Sequence, residues 1–214
     1  MATEKQIQKM LGVLVEHMEF FLALLGEHAQ WVIEHPKEAI ELFVKAVKNR
    51  EQKVAEKILG LVEPKIIIPA TTKQFIAKNN FVVNTSKDAE VPFGYFGENF
   101  IKLFLDKNEE PIIETVLRIQ KLLTSSADGQ ILNELGGNEK AETTLTEMFD
   151  FLRKYAKKNV WYLFYIKDKD GVLCAVDANW NGDGWYLNAH SVAGQYRWYD
   201  DILVVSRNFE IIKS

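Results

Sequence analysis

The chain has 214 residues, enough for one or two domains with a hydrophobic core. Its 47% hydrophobic and 26% charged residues are typical of globular proteins and argue against a disordered or fibrous chain. The net charge of −4 gives no electrostatic footprint for nucleic acid, so we expect no nucleic-acid partner. The single cysteine, Cys174, excludes an intramolecular disulfide and favours a reducing cytoplasm, with a cysteine-poor secreted protein as the alternative.

The most apolar stretch covers residues 11–25 and is interrupted by Glu16 and Glu19. It is shorter than the roughly 20 residues that a helix needs to span a bilayer. The basic start of a signal peptide is also missing, because Glu4 offsets Lys5. We therefore predict no transmembrane segment, no signal peptide and a cytoplasmic location.

The N-terminal segment has the apolar period of helices. Its first stripe steps by three and four residues: Ile7, Met10, Leu11, Leu14, Met18, Phe21, Leu22 and Leu25. A second stripe follows Pro36 and ends at Gly60 and Pro64. We predict a helical hairpin over residues 1–62, with a coiled-coil-like partner helix as the alternative. This segment exposes more apolar surface than two helices bury, so we expect it to pack on the C-terminal domain, to dock on a partner protein or to self-associate.

The segment from residue 63 alternates between short strand and helix signals. Runs rich in β-branched and aromatic residues predict strands at 66–69 and 81–83, and Pro92 restricts residues 91–95 to an edge strand. Apolar spacing predicts helices at 98–107, 110–125 and 138–158.

From residue 160 the apolar period becomes two. Four strands are predicted over residues 160–166, 172–180, 185–192 and 202–207. Asp170-Gly171 joins the first pair, and residues 181–184 (Asn-Gly-Asp-Gly) join the second. The predicted fold class is therefore α+β: an N-terminal helical hairpin over 1–62, then a mixed domain over 63–214 with a C-terminal antiparallel meander of about four strands packed on helices.

The hairpin register places two titratable residues together. If Trp180 pairs with Trp185, then Asp177 lies opposite Asn188, with His190 one diagonal step away on the same face. Asp177 and His190 are therefore candidates for an acid–base or metal-ligand pair. The alternative is an ordinary cross-strand hydrogen bond or a solvated polar face.

Other chemical motifs are missing or incomplete. Cys174 falls on the face opposite His190, so it is predicted to be a core residue rather than a nucleophile. Residues 179–184 match only the opening of a calcium loop, since position 12 of that pattern is His190 instead of glutamate. His17, His28 and His35 lack the i, i+4 spacing of a helical zinc site. We predict no metal and no cofactor.

Aromatic residues concentrate between residues 160 and 200, beyond what one face of a small sheet can bury. The segment from Tyr196 to Asp201 combines tyrosine, arginine and tryptophan, the composition of recognition surfaces. The predicted binding residues are Tyr186, Tyr196, Arg197, Trp198 and Tyr199, with Tyr196, Arg197 and Trp198 partly exposed. The alternative is that these rings cover the open side of the sheet or lock the loop in place.

Together these patterns favour a binding or interaction protein without a recognisable catalytic motif. The second hypothesis is an enzyme that uses Asp177 and His190, with Tyr186 or Asn188 beside them on the sheet face. A third, weaker hypothesis is a secreted effector or phage-type accessory protein.

Overall fold

The computed structural model describes residues 34–35, 37–38, 41, 57–194 and 196–207. The chain divides into two units between Glu56 and Lys57, and the unit that begins at Lys57 contains the following elements. They are β1 (Leu59–Ile68), β2 (Phe75–Ile76), α1 (Ala77–Asn80), β3 (Phe93–Phe96), α2 (Glu98–Phe104), β4 (Asn108–Glu109), β5 (Thr115–Leu122), β6 (Ser126–Ala127), α3 (Asp128–Glu134), α4 (Asn138–Ala141), β7 (Glu142–Thr143), α5 (Leu145–Lys154), β8 (Tyr162–Lys167), β9 (Leu173–Asn181), β10 (Gly184–Ser191), β11 (Arg197–Trp198) and β12 (Leu203–Ser206).

A mixed sheet of eight strands dominates this unit. Seven strands follow the order β1-β5-β12-β8-β9-β10-β3, and β7 also pairs with β8. The pairs β12–β8, β10–β3 and β7–β8 are parallel, whereas the other pairs of this sheet are antiparallel. Two small two-stranded sheets are formed by β11 with β6 and by β2 with β4.

The predicted fold class is wrong. The hairpins β8–β9 and β9–β10 are present, but they belong to a mixed sheet rather than to a four-strand antiparallel meander. The last predicted strand, β12, lies on the other side of β8 and runs parallel to it. Residues 59–62, the predicted end of the helical hairpin, are instead the start of β1, and most of the remaining hairpin lies outside the described residues.

Two helix predictions also fail, each for a local reason. Residues 115–122 form β5, because strands β1 and β12 pair with both of its edges and override its weak helical spacing. The predicted helix 138–158 is divided into α4 and α5, since Thr144 and Glu147 form a capping box that starts a new helix. The run at 81–83 forms no strand.

Both faces of the large sheet carry a hydrophobic core. On the first face, α1, α2 and α5 pack on alternate residues of the central strands, such as Phe164, Val176 and Leu187. On the second face, α3, α4 and β11 pack on the residues between them, such as Tyr165 and Ala175. Within the described residues, no helix has the length and apolarity needed to cross a bilayer.

Strand β1 lies at one end of the sheet and is irregular. Its pairing with β5 shifts register between Leu61 and Glu63 and again between Glu63 and Ile66. The strand also contains Pro64, which has no N–H to donate. Leu61, Val62 and Ile67 are exposed.

Candidate functional site

The β9–β10 hairpin positions the two predicted titratable residues. The predicted register is confirmed: Trp180 pairs with Trp185, and Asp177 pairs with Asn188. The two indole rings of that first pair meet edge to face, with centroids 5.3 Å apart. Because side chains alternate along a strand, Asp177 and His190 both project from the second face.

Asp177 is the buried centre of a hydrogen-bonded group. Its side chain is 1% exposed. Its Oδ1 accepts a hydrogen bond from the indole Nε1 of Trp161 at 2.9 Å, and its Oδ2 lies 3.0 Å from His190 Nε2. These two hydrogen-bond donors replace the water that the buried carboxylate has lost. A buried charge without such partners would be strongly unfavourable.

His190 connects this carboxylate to the surface, with 32% of its side chain exposed. The hydrogen bond to Asp177 raises the pKa of His190, against the opposing effect of burial, and the negative charges of Asp177 and Asp128 raise it further. The imidazole stacks on Tyr196 at 5.0 Å and contacts the edge of Trp198 at 5.3 Å. Among the described residues, no hydrogen bond is recorded for its Nδ1.

A second buried carboxylate lies behind the aromatic rings. Asp128 Oδ1 accepts hydrogen bonds from Trp198 Nε1 at 2.7 Å and from the Tyr165 hydroxyl at 2.8 Å. Its other oxygen, Oδ2, is buried and has no hydrogen-bond partner among the described residues. Burial raises the pKa of Asp128, although the bonds from Trp198 and Tyr165 and the nearby His190 oppose that rise.

The sequence analysis missed three members of this group: Trp161, Asp128 and Tyr165. Asp128 is 70 residues before Trp198 in the chain, and no spacing rule relates the two. Trp161 and Tyr165 lie in or beside β8 and were assigned only to a strand. Strand alternation could have placed Tyr165 on the same face as Asp177, but only after the pairing of β8 with β9 was known.

The predicted binding residues separate into two locations. Tyr196, Arg197 and Tyr199 are exposed, with exposed fractions of 38% for Tyr196 and 64% for Tyr199. The expectation of partial exposure is wrong for Trp198, which is 0% exposed because its indole fills the second core beside Asp128. Tyr186 lies apart, with its ring 5.5 Å from that of Tyr95 on β3.

The remaining chemical candidates are structural in this geometry. Cys174 is buried in the first-face core, and burial raises the pKa of its thiol, so it has no thiolate character. The Asn-Gly-Asp-Gly segment is the β9–β10 turn, with Gly182 in the left-handed region at φ 71°. In the part of the chain that the structure describes, no cluster of three or more His, Cys, Asp or Glu side chains could hold a metal ion.

The site as a whole is a chain of contacts from the core to the surface. It leads from Asp128 through Trp198 to Tyr196, and from Trp161 through Asp177 to His190.

Comparison of this chain with protein-family models, with curated proteins and with solved structures finds no match.

Proposed function

We propose that this protein is a binding protein whose contact surface is formed by Tyr196, Arg197 and Tyr199. The observation that supports this proposal is that Trp198, which lies between Arg197 and Tyr199, is held rigidly in place. Trp198 is fully buried, donates to Asp128 and packs against Tyr196 at 4.7 Å. The pairing of β11 with β6 holds the same segment at its backbone.

A fixed segment is favourable for binding because less conformational entropy is lost when a partner docks. Tyrosine and arginine are also the residue types that contribute most to protein interfaces. Arg197 donates to the Ser125 carbonyl, which restrains its guanidinium while leaving the side chain exposed. The expected partner is therefore a protein surface that accepts flat aromatic rings and one positive charge.

Site-specific crosslinking tests this proposal. A photo-crosslinking amino acid placed at position 199, in the cells that make the protein, should capture a discrete partner. The same amino acid at position 155 is the control, because Tyr155 is also exposed but directly follows α5. With that partner purified, Tyr196→Ala and Tyr199→Ala should each weaken binding by about 2 kcal/mol, or about 30-fold. Identical crosslinks at both positions, or none at position 199, would refute the proposal.

A second function, proton transfer at His190, is favoured by one specific observation. Asp177 accepts from His190 Nε2, so the neutral imidazole keeps its lone pair on Nδ1, in a side chain that is 32% exposed. A base oriented by a buried carboxylate is the arrangement used in general-base catalysis. Here Nδ1 would accept a proton from a bound hydroxyl group or water, and Asp177 would balance the charge of the imidazolium.

A generic ester provides a test that needs no known substrate. Under the second function, hydrolysis of p-nitrophenyl acetate should fall on His190→Gln, and its pH dependence should shift on Asp177→Asn. His35→Gln is the matched control for the intrinsic reactivity of imidazole. Equal rates for the His190→Gln and wild-type proteins would exclude this function.

Self-association through the apolar stripe between Ile7 and Leu25 is a further proposal about partners, supported by the three- and four-residue spacing of that stripe. Light scattering of the full chain should show a multimer that Leu14→Glu and Phe21→Glu convert to a smaller species, whereas Gln8→Glu should not.

A cytoplasmic location is likewise proposed, on the ground that the single cysteine is buried as a free thiol.

A further inference from the structure

A group of exposed and half-buried tyrosine and asparagine side chains lies on the second face, where β9, β10 and β3 pair. It consists of Tyr95, Asn179, Tyr186 and Asn188, which we call the platform. We propose that the platform binds a proline-rich segment of a partner protein in the polyproline II conformation. The proposal goes beyond the proposed contact surface, since it uses none of the residues at positions 196–199.

Strand pairing brings the four side chains of the platform together. Tyr186 pairs with Asn179 on β9 and with Tyr95 on β3, and Asn188 follows Tyr186 by two residues on the same face of β10. The rings of Tyr95 and Tyr186 have centroids 5.5 Å apart and planes inclined by 41°. Since 47% of Tyr95 is exposed, the two rings form one aromatic surface that a ligand can reach.

Two glycines make room for the platform side chains over β3. A Cβ at Gly94 would lie 2.6 Å from Cε1 of Tyr186, and a Cβ at Gly97 would lie even closer to Oδ1 of Asn188. Both side chains therefore lie over the glycine backbone, in space that any other residue would fill. Side chains that are positioned before a ligand arrives lose less conformational entropy on binding.

The asparagines present hydrogen-bond donors to a ligand. Asn179 Oδ1 is buried, so the amino group is the part of this half-buried side chain that reaches the surface. Asn188 holds its Oδ1 against Gly97, which turns its Nδ2 away from that glycine. Among the described residues, no hydrogen bond is recorded for either Nδ2 or for the hydroxyls of Tyr95 and Tyr186. The platform thus combines free donors with an aromatic surface, and none of its four side chains is charged.

A proline-rich chain is complementary to this combination. Proline has no N–H, so the chain offers carbonyl acceptors and apolar rings, and its polyproline II conformation is largely formed before binding. That helix advances about 6.2 Å every two residues, close to the roughly 6.8 Å between Tyr186 and Asn188 along β10. A proline ring on the tyrosine pair therefore brings a carbonyl two residues away to the Asn188 amide. Nucleic acid fits less well, because its phosphates would find no cation among the four side chains.

Decaproline tests the proposal on the full chain, and a decapeptide of alternating glycine and serine is its flexible control. In ¹⁵N NMR spectra, decaproline should shift the side-chain amide signals of Asn179 and Asn188 in a saturable manner, with a Kd of about 1 mM or lower. The indole signals of Trp185 and Trp198, which lie in the two buried cores, should not move. The glycine–serine peptide should bind at least about tenfold more weakly, because it lacks the proline rings and must be ordered on binding.

Paired substitutions connect the signal to the platform. Tyr95→Ala should weaken binding of decaproline about tenfold, whereas Tyr199→Ala should not, which separates this proposal from the proposed contact surface. Asn188→Asp replaces the amide donor with an acceptor of the same shape and should also weaken binding about tenfold. Asn138→Asp, exposed at the start of α4, adds the same charge elsewhere and should leave binding unchanged.

A glycine substitution tests whether the positions of the platform side chains matter. Gly94→Ala should displace the Tyr186 ring without removing any platform atom, and should weaken binding of decaproline about fivefold. Gly129→Ala is the control, because its Cβ would meet no atom within 4 Å. Melting temperatures of each variant and its control distinguish loss of binding from loss of folding.

Three results would overturn the proposal. One is the absence of a saturable shift up to about 10 mM decaproline, a range that detects a Kd near 1 mM. Another is equal binding of the two decapeptides, which would show that the platform does not select the polyproline II conformation. The third is a saturable shift of the same amide signals by maltohexaose and none by decaproline, which would identify the platform as a site for neutral sugars.

Discussion

The two faces of the sheet bury side chains by different means. The first face is covered by hydrocarbon, with a cluster of phenylalanine rings packed against each other at centroid distances of 5.3–6.3 Å: Phe75, Phe81, Phe93, Phe96, Phe100 and Phe149. On the second face, the polar groups Tyr165, Asp177 and His190 project from the sheet itself. Hydrogen-bonded carboxylate and imidazole groups of the sheet are therefore part of the second face. Near the first core, the buried carboxylates belong to α5 and its contacts, and the sheet contributes the Tyr162 hydroxyl, which accepts from the Lys157 N–H.

This difference predicts different sensitivities to substitution. An apolar core tolerates exchanges that conserve volume, because its contacts are non-directional. A core built on buried hydrogen bonds does not, because removing one partner leaves the other unsatisfied. The second face is thus expected to be the less tolerant of the two, and it is also the face that carries the candidate site.

The largest expected effect is that of Trp198→Ala. The fully buried indole leaves a cavity, so the free energy of unfolding should fall by about 3–5 kcal/mol, as for other large core truncations. Tyr199→Ala, at an exposed neighbour, should change it by less than about 0.5 kcal/mol. Urea denaturation measures both. A loss below about 1 kcal/mol for Trp198→Ala would show that Trp198 does not anchor the segment.

Two substitutions of Asp128 separate the contribution of its hydrogen bonds to stability from that of its charge. Asp128→Ala leaves Trp198 Nε1 and the Tyr165 hydroxyl without an acceptor and should cost about 2–3 kcal/mol. Asp128→Asn keeps an acceptor and removes an ionisable group whose pKa is raised by burial, so it should be neutral or stabilising near pH 7. Equal losses for the two variants would contradict this explanation.

Glu109, which is buried near the first-face core, should make the stability of the fold sensitive to acid. Burial alone would raise the pKa of Glu109, but Lys107, the Thr146 hydroxyl and the backbone amides of Leu145 and Thr146 lower it below its ordinary value. A lowered pKa stabilises the fold above pH 4.5, and that stability is lost as the pH falls through the folded-state pKa. Glu109→Gln should cost about 1.5 kcal/mol at pH 7 and flatten the acid limb of the stability profile. A profile unchanged in shape would refute this assignment.

The Asp177–His190 pair should give stability a pH dependence opposite in sign to that of Glu109. Since the pKa of His190 is raised, its contribution to stability is present below pH 6.5 and is lost as the pH rises through the folded-state pKa. NMR titration should give His190 a pKa above that of a free histidine, and Asp177→Asn should lower it. Asn188→Ala, directly opposite Asp177, is the control and should leave the titration nearly unchanged.

The smallest expected effect belongs to Met148→Leu on the first face. Met148 is fully buried among apolar side chains, and the exchange nearly conserves volume. We expect a loss of less than about 1 kcal/mol in thermal or urea denaturation. A larger loss would remove the proposed contrast between the faces.

What could be predicted from the sequence was local. The Trp180–Trp185 pairing followed from the turn residues between them, and that one pairing placed Asp177 near His190. The pairing of β12 with β5 and β8, and the contact of Asp128 with Trp198, depend on which distant segments meet, and strand alternation carries no such information. For the same reason the burial of Trp198 was not predicted, since Asp128 and α3, which enclose it, are remote in sequence.

The irregular pairing of β1 has a consequence for crowded solutions. An open strand edge can template fibre growth, because its unpaired amides and carbonyls accept a strand from another molecule. Among the described residues, no strand pairs with the outer edge of β1. A strand docking there would meet the two register shifts, and Pro64, inside the second shift, offers no amide hydrogen. Exposed Leu61, Val62 and Ile67 would otherwise favour growth, so we expect these interruptions to protect this edge from polymerising when the protein is concentrated.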